Sequence, residues 1–142
     1  MIYTEFTNKY FGKYVEYDDI NNKYQCVDIM KKYIKEVWGM DPNVLPVTLY
    51  AKDIFTKFTG APGLKKIYNT PDNIPSRGDI LFLGWWWPIT GIAGHVGMVD
   101  SADLYKFVLF NQNYPTNSPC NFRNFNYSWG PQPIVRGWIH KI

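Results

Sequence analysis

The residues able to do covalent chemistry are few, and their neighbours place them. Cys26 stands in Tyr24-Gln25-Cys26-Val27-Asp28, where a polar stretch turns into an amphipathic one. A thiol at a helix start meets unpaired N–H groups and the positive end of the dipole, which favour thiolate, the nucleophilic form. The bland alternative is a small buried core residue. His95 opens the β-type run His95-Val96-Gly97-Met98-Val99 straight after Gly91-Ile92-Ala93-Gly94, so small residues leave it room to face a cleft. A histidine satisfied by a backbone carbonyl is the competing reading. His140, near the C-terminus, reads as surface, so His95 is the better partner for Cys26. A catalytic imidazole also needs an acceptor on its second nitrogen. Asn111-Gln112-Asn113 offers one, with Asn111 and Asn113 on one strand face and Gln112 pointing away.

These groups need rigid elements behind them. Between Cys26 and Trp38, Ile29, Met30, Tyr33, Ile34, Val37 and Trp38 form one helical stripe, with Lys31, Lys32, Lys35 and Glu36 mostly facing away. Gly39 is a C-terminal stop. Thr48 to Phe58 predicts a second helix with Leu49, Ile54, Phe55 and Phe58 on its apolar side. Strands are predicted at Leu64–Tyr68, from Arg77-Gly78-Asp79 through Leu83, and at His95–Asp100, Lys106–Asn113 and Ile134–His140. Helices first and an antiparallel sheet second make an α+β domain.

Composition narrows the function. The chain has 142 residues, a length that predicts one domain spanning 1–142, and 46% hydrophobic residues are enough for a core. A net charge of +3 lacks the dense basic face of a nucleic-acid binder. Two cysteines, Cys26 and Cys120, and two histidines are too few for a disulfide framework or a zinc site of Cys and His. The N-terminus has no signal-peptide pattern. Residues 80–99 carry no charged side chain, but Gly84, Pro88, Gly91, Gly94 and His95 break the run into strand, loop and strand rather than a membrane span.

The order of Gln25-Cys26-Val27-Asp28, Ala51-Lys52-Asp53, Gly78-Asp79-Ile80, Gly94-His95-Val96 and Asn111-Gln112-Asn113 resembles the CHAP domain of bacteriophage endolysins and bacterial wall hydrolases. The resemblance runs from about Tyr10 to the end. It implies a papain-like fold and peptidoglycan as substrate. It makes Cys26 the nucleophile, His95 the general base and Gln25 an oxyanion-hole residue. The family usually carries an acidic residue where this chain has Asn111, so the task of orienting His95 falls to Asn111 or Asn113. The resemblance also raises calcium in the loop before the nucleophile, through Asp18, Asp19 and Asp28, with Tyr17 standing where relatives have an acid. Those acids read equally as turn and helix-cap residues. Trp85-Trp86-Trp87 before His95 can offer an aromatic surface to sugars or stem peptides, although loop packing is the plainer role. Cys120 matches no family role.

The implied activity is thiol-dependent cleavage of a peptidoglycan amide, by an amidase or an endopeptidase, with no cofactor required for the chemistry. A monomer acting at the bacterial wall is expected. It would be released through a holin pore, carried in a virion, or cut from a longer lysin. A non-catalytic wall-binding or virion module and a protease acting on proteins are the alternatives.

Overall fold

The computed structural model describes residues 1–17, 24–84, 93–127 and 135–142. Asp18, Asp19, Trp85, Trp86 and Trp87 lie outside the described residues. Among the described residues three α-helices lead, α1 (Tyr3–Tyr10), α2 (Cys26–Glu36) and α3 (Ala51–Lys57), with a 3-10 turn at Pro42–Val44. Six strands follow: β1 (Leu64–Tyr68), β2 (Ile80–Leu83), β3 (His95–Ala102), β4 (Lys106–Asn111), β5 (Asn121–Asn126) and β6 (Val135–Lys141). They form one sheet in the order β1-β6-β2-β3-β4-β5. Every pairing in it is antiparallel. The α+β arrangement of N-terminal helices on an antiparallel sheet is therefore the fold.

Each face of the sheet carries its own apolar cluster. Ile80, Phe82, Val96, Met98 and Phe110 pack with Phe6, Ile29, Met30, Tyr33 and Ile34 of the helices. Leu81, Leu83, Val99, Phe107, Leu109 and Trp138 pack together on the other face. The uninterrupted apolar run Ile80–Leu83 follows from this, because β2 is buried on both sides. Among the described residues no helix is long and apolar enough to cross a membrane, and the described ends of the uncharged 80–99 run are strands β2 and β3.

Several boundaries differ from the sequence reading. The second predicted helix begins at Ala51, and Leu49 is 87% exposed instead of facing the core. Helix α1 and strand β5 were not anticipated. α1 offers only Phe6 and Tyr10 as buried large apolar residues, one helical turn apart, which is too short a stripe to read. β4 stops at Asn111, because Asn113 adopts φ 66°, a left-handed backbone that ends the strand.

Candidate active site

Cys26 is the first residue of α2. Asp28 fixes the start of that helix: its Oδ2 accepts the Gln25 N–H at 2.8 Å and its Oδ1 the Tyr17 N–H at 3.4 Å. Such caps stabilise a helix by about 1 kcal/mol. The N-terminus of α2 abuts the start of β3, ahead of Met98, where the ladder with β4 begins. There the backbone N–H groups of Val96, Val27 and Cys26 lie close enough to the sulfur to favour its thiolate. The residue immediately after His95 in sequence is thus a neighbour of the thiol.

The charge state differs from the helix-dipole expectation. Burial pushes the Cys26 thiol up to about 11; the three N–H groups oppose this, and the Asp28 carboxylate adds to it. Cys26 keeps partial exposure as a residue, so a substrate can reach it. His95 is 5% exposed, and burial pulls its imidazole down to about 4, against a smaller opposite effect of Asn111. At neutral pH the pair rests as thiol and neutral imidazole.

Asn111 orients the ring. His95 Nε2 lies 2.7 Å from Asn111 Oδ1. Asn111 Nδ2 faces two acceptors, the Asn121 carbonyl at 3.2 Å and Asn121 Oδ1 at 3.3 Å, which places the amide oxygen toward His95. A carbonyl oxygen only accepts, so Nε2 carries the proton and Nδ1 keeps the lone pair of a base. The same geometry accounts for an amide here. A carboxylate at position 111 would set its second oxygen against both Asn121 oxygens. Tyr114 lies against the imidazole, with ring centroids 5.6 Å apart, and packs in turn on Phe125.

Two glycines make room for this. A Cβ on Gly94, at φ +71°, would come 2.5 Å from Leu83 O and 2.6 Å from Lys52 Cβ. Without it, α3 docks its Lys52 N–H on Ala93 O at 3.1 Å beside His95. A Cβ on Gly97 would sit 3.1 Å from Asn111 Cβ, so glycine lets Asn111 lie across β3 toward the imidazole.

The other sequence-predicted groups are placed as follows. Asn113 does not share the face of Asn111; its Oδ1 accepts the Asn117 N–H at 2.6 Å and closes a turn. Gln25 is half-buried at the N-cap, one residue before the nucleophile. Asp28 has both oxygens on backbone N–H groups, the arrangement of a helix cap. Among the described residues no cluster of three His, Cys, Asp or Glu is placed to hold a metal; Asp18 and Asp19, the other two acids of the calcium expectation, lie outside them. Cys120 is buried, its thiol pushed up to about 12 by desolvation. His140 is not simple surface: its Nδ1 is 2.6 Å from Oδ1 of the buried Asp79. A cavity of about 460 Å³ lined by Ser101, Asp103, Lys106, Phe107 and Asn124 lies at the opposite end of β3 and β4 from His95 and Asn111, and holds no nucleophile–base pair. The sequence reading missed Tyr114 and Asn121, which lie in or beyond the turn that follows Asn113 and carry no signal of their own.

No family model matches the chain, and no curated protein matches it. Among solved structures it is similar to the crystal structure of a wild-type endolysin, LysIME-EF1, with TM-score 0.71 and 19% sequence identity. The match covers 97% of this chain and 61% of that one, so the chain spans less than two thirds of that endolysin's length. At this identity, what the two share is the fold.

Proposed function

We propose that this chain is a thiol-dependent peptidoglycan hydrolase of the CHAP type, cleaving an amide bond. The observation that supports the reading is the His95–Asn111 hydrogen bond on a strand whose start packs against the helix that Cys26 opens. The Cys26 sulfur lies at a helix start near the Val96 N–H, and the imidazole of the preceding residue in β3 has its Nε2 held by Asn111 Oδ1. The shared fold with an endolysin supports peptidoglycan as the substrate, and fold alone never assigns chemistry.

In this mechanism His95 Nδ1 takes the Cys26 proton as the sulfur attacks the amide carbonyl. Because both groups rest neutral, the proton moves with the attack instead of beforehand. The N–H groups of Val96 and Val27 stabilise the sulfur charge as it develops. The Cys26 N–H and the Gln25 side chain serve the tetrahedral oxyanion. Protonated His95 then gives its proton to the leaving amine. Water, deprotonated by His95, cleaves the thioester. Asn111 keeps Nε2 protonated and the ring in place throughout. Trp85, Trp86 and Trp87 are assigned, from their sequence alone, to contact with the glycan or stem peptide. No step runs through a metal.

The test is mass spectrometry of fragments released from purified sacculi by the parent, Cys26→Ala and His95→Ala. The parent is expected to release either glycan-free stem peptides (amidase) or cut stems and cross-bridges (endopeptidase). Each variant should lose on the order of 10³-fold or more in rate. Equal release by parent and Cys26→Ala refutes the mechanism. Casein cleavage without sacculus cleavage refutes the substrate.

A further inference from the structure

Gln112 sits between the residue that holds His95 and the turn that follows, and its side chain is fully buried. Its partners lie away from those of Asn111, on the segment that leads into α2. There its Oε1 accepts the Val15 N–H at 2.6 Å, while its Nε2 donates to the Val15 carbonyl at 2.9 Å and to the Gln25 carbonyl at 2.8 Å. The amide thus pairs with Val15 as a strand residue would and clamps the carbonyl of the residue before Cys26. Cys120 Sγ lies 3.5 Å from the same Oε1. Val15 and Gln25 are the two sides of the segment that enters α2, far from β4 in sequence.

We propose that Gln112 is the positioning residue of the nucleophile, doing for Cys26 what Asn111 does for His95. Two adjacent side chains at the end of β4 then set both members of the pair: Asn111, its last residue, fixes the imidazole and Gln112, just past it, fixes the start of α2. The relative placement of thiol and base is then tied to two neighbouring residues at the end of β4. A fully buried amide with three strong hydrogen bonds has no freedom to relax, so removing them moves the helix start and not Gln112 alone. A displacement of about 1 Å in a reacting group costs roughly 100-fold in rate.

The inference rests on the Cys26–His95 reading above. The test compares Gln112→Met, which keeps the shape and removes the hydrogen bonds, with Gln112→Glu. Val99→Ala, buried on the other face of the sheet, is the control for general loosening. Each is read by kcat and KM on purified sacculi across pH, and by the iodoacetamide rate at Cys26. For Gln112→Met we expect kcat to fall at least tenfold further than in Val99→Ala, with KM within about threefold of the parent. The acid limb set by His95 should stay near the parent's, because Asn111 still holds the ring. A purely structural role would instead open the site and move that limb toward the ordinary histidine value. Gln112→Glu keeps the acceptor for Val15 but at neutral pH sets a carboxylate against two carbonyls. Its activity relative to the parent should recover as pH falls and the carboxyl regains a donor, which tests the proposal even if Gln112→Met does not fold. A kcat loss in Gln112→Met no greater than in Val99→Ala overturns it, and so does a flat ratio of Gln112→Glu to parent across pH. If parent and Cys26→Ala act equally on sacculi, the hydrolase reading fails instead, and the alkylation rates at Cys26 still decide the role of Gln112.

Discussion

Replacing Asn111 by Asp tests the electrostatics of the pair directly. The parent holds a neutral amide oxygen 2.7 Å from His95 Nε2, and the imidazole sits at about 4. A carboxylate there places charge centres about 4 Å apart, worth about 4 kcal/mol at an effective dielectric near 20. Taken alone, that is a rise of about three pH units. Two things oppose it: the new carboxylate loses solvation, and it faces the Asn121 carbonyl and Oδ1 that Asn111 Nδ2 now satisfies. The net rise is therefore roughly one to three units, the range for an opposite charge at this distance. Activity requires thiol and imidazole to share one proton, so it is lost below the histidine value and above the thiol value. Asn111→Asp should move the acid limb of kcat/KM from about 4 to roughly 5–7. The alkaline limb, set by a thiol already pushed up to about 11, should rise as well. The assay is a pH–rate profile on sacculi beside a melting curve at each pH. An acid limb that stays in place in a folded variant means that Asn111 does not face the catalytic imidazole.

Three further outcomes follow from the same geometry. Asn111→Ala should cost on the order of 100-fold in kcat by freeing the ring, and Asn113→Ala far less, because Asn113 caps Asn117 instead of His95; turnover of the two variants that matches, or falls in the reverse order, refutes this assignment. The folded-state value of His95 lies below the ordinary 6.5, so its contribution to stability is complete above pH 6.5 and is lost as pH falls toward 4. From this residue the parent should lose about 2 kcal/mol between pH 7 and pH 5; chemical denaturation of His95→Gln should show that loss removed, and an unchanged loss places the acid sensitivity elsewhere. Asp28→Asn removes the charge that raises the Cys26 thiol, so iodoacetamide should label Cys26 several-fold faster at pH 8, with stability lower by about 1 kcal/mol through the weakened cap; slower labelling shows that the thiol does not feel Asp28.

What the residues disclose about this site depends on how local each feature is. The stripe from Ile29 to Ile34 is legible because a 3.6-residue period is written within two turns, and the reading of Cys26 at its start needs nothing further away. His95 is legible for a similar reason: Gly94 and the β-branched run after it mark a strand mouth within a few residues. The choice between Asn111 and Asn113 is not local. It depends on where β4 ends, and that is decided by a turn in which Asn113 closes on the N–H of Asn117. Strict alternation past the true end of the strand put both amides on one face. Gln112 was assigned away from the imidazole correctly, but its partners Val15 and Gln25 lie 97 and 87 residues earlier, beyond the reach of any spacing argument.

The protonation of the pair is the least local property of all. A helix start does aim N–H groups at Cys26, and they act in the expected direction. They are outweighed by the desolvation of the thiol where the helix start packs on β3, while Asn111 and Tyr114 lie against the imidazole. Exclusion of water raises an acid that ionises to an anion and lowers a base that ionises to a cation, so one act of burial drives both groups to their neutral forms. A carboxylate beside the imidazole would reverse half of that effect, yet Asn121 presents two acceptors where its second oxygen would lie. The amide at position 111 and the neutral resting pair are therefore one feature: the network that orients His95 is the same network that denies it a counter-ion.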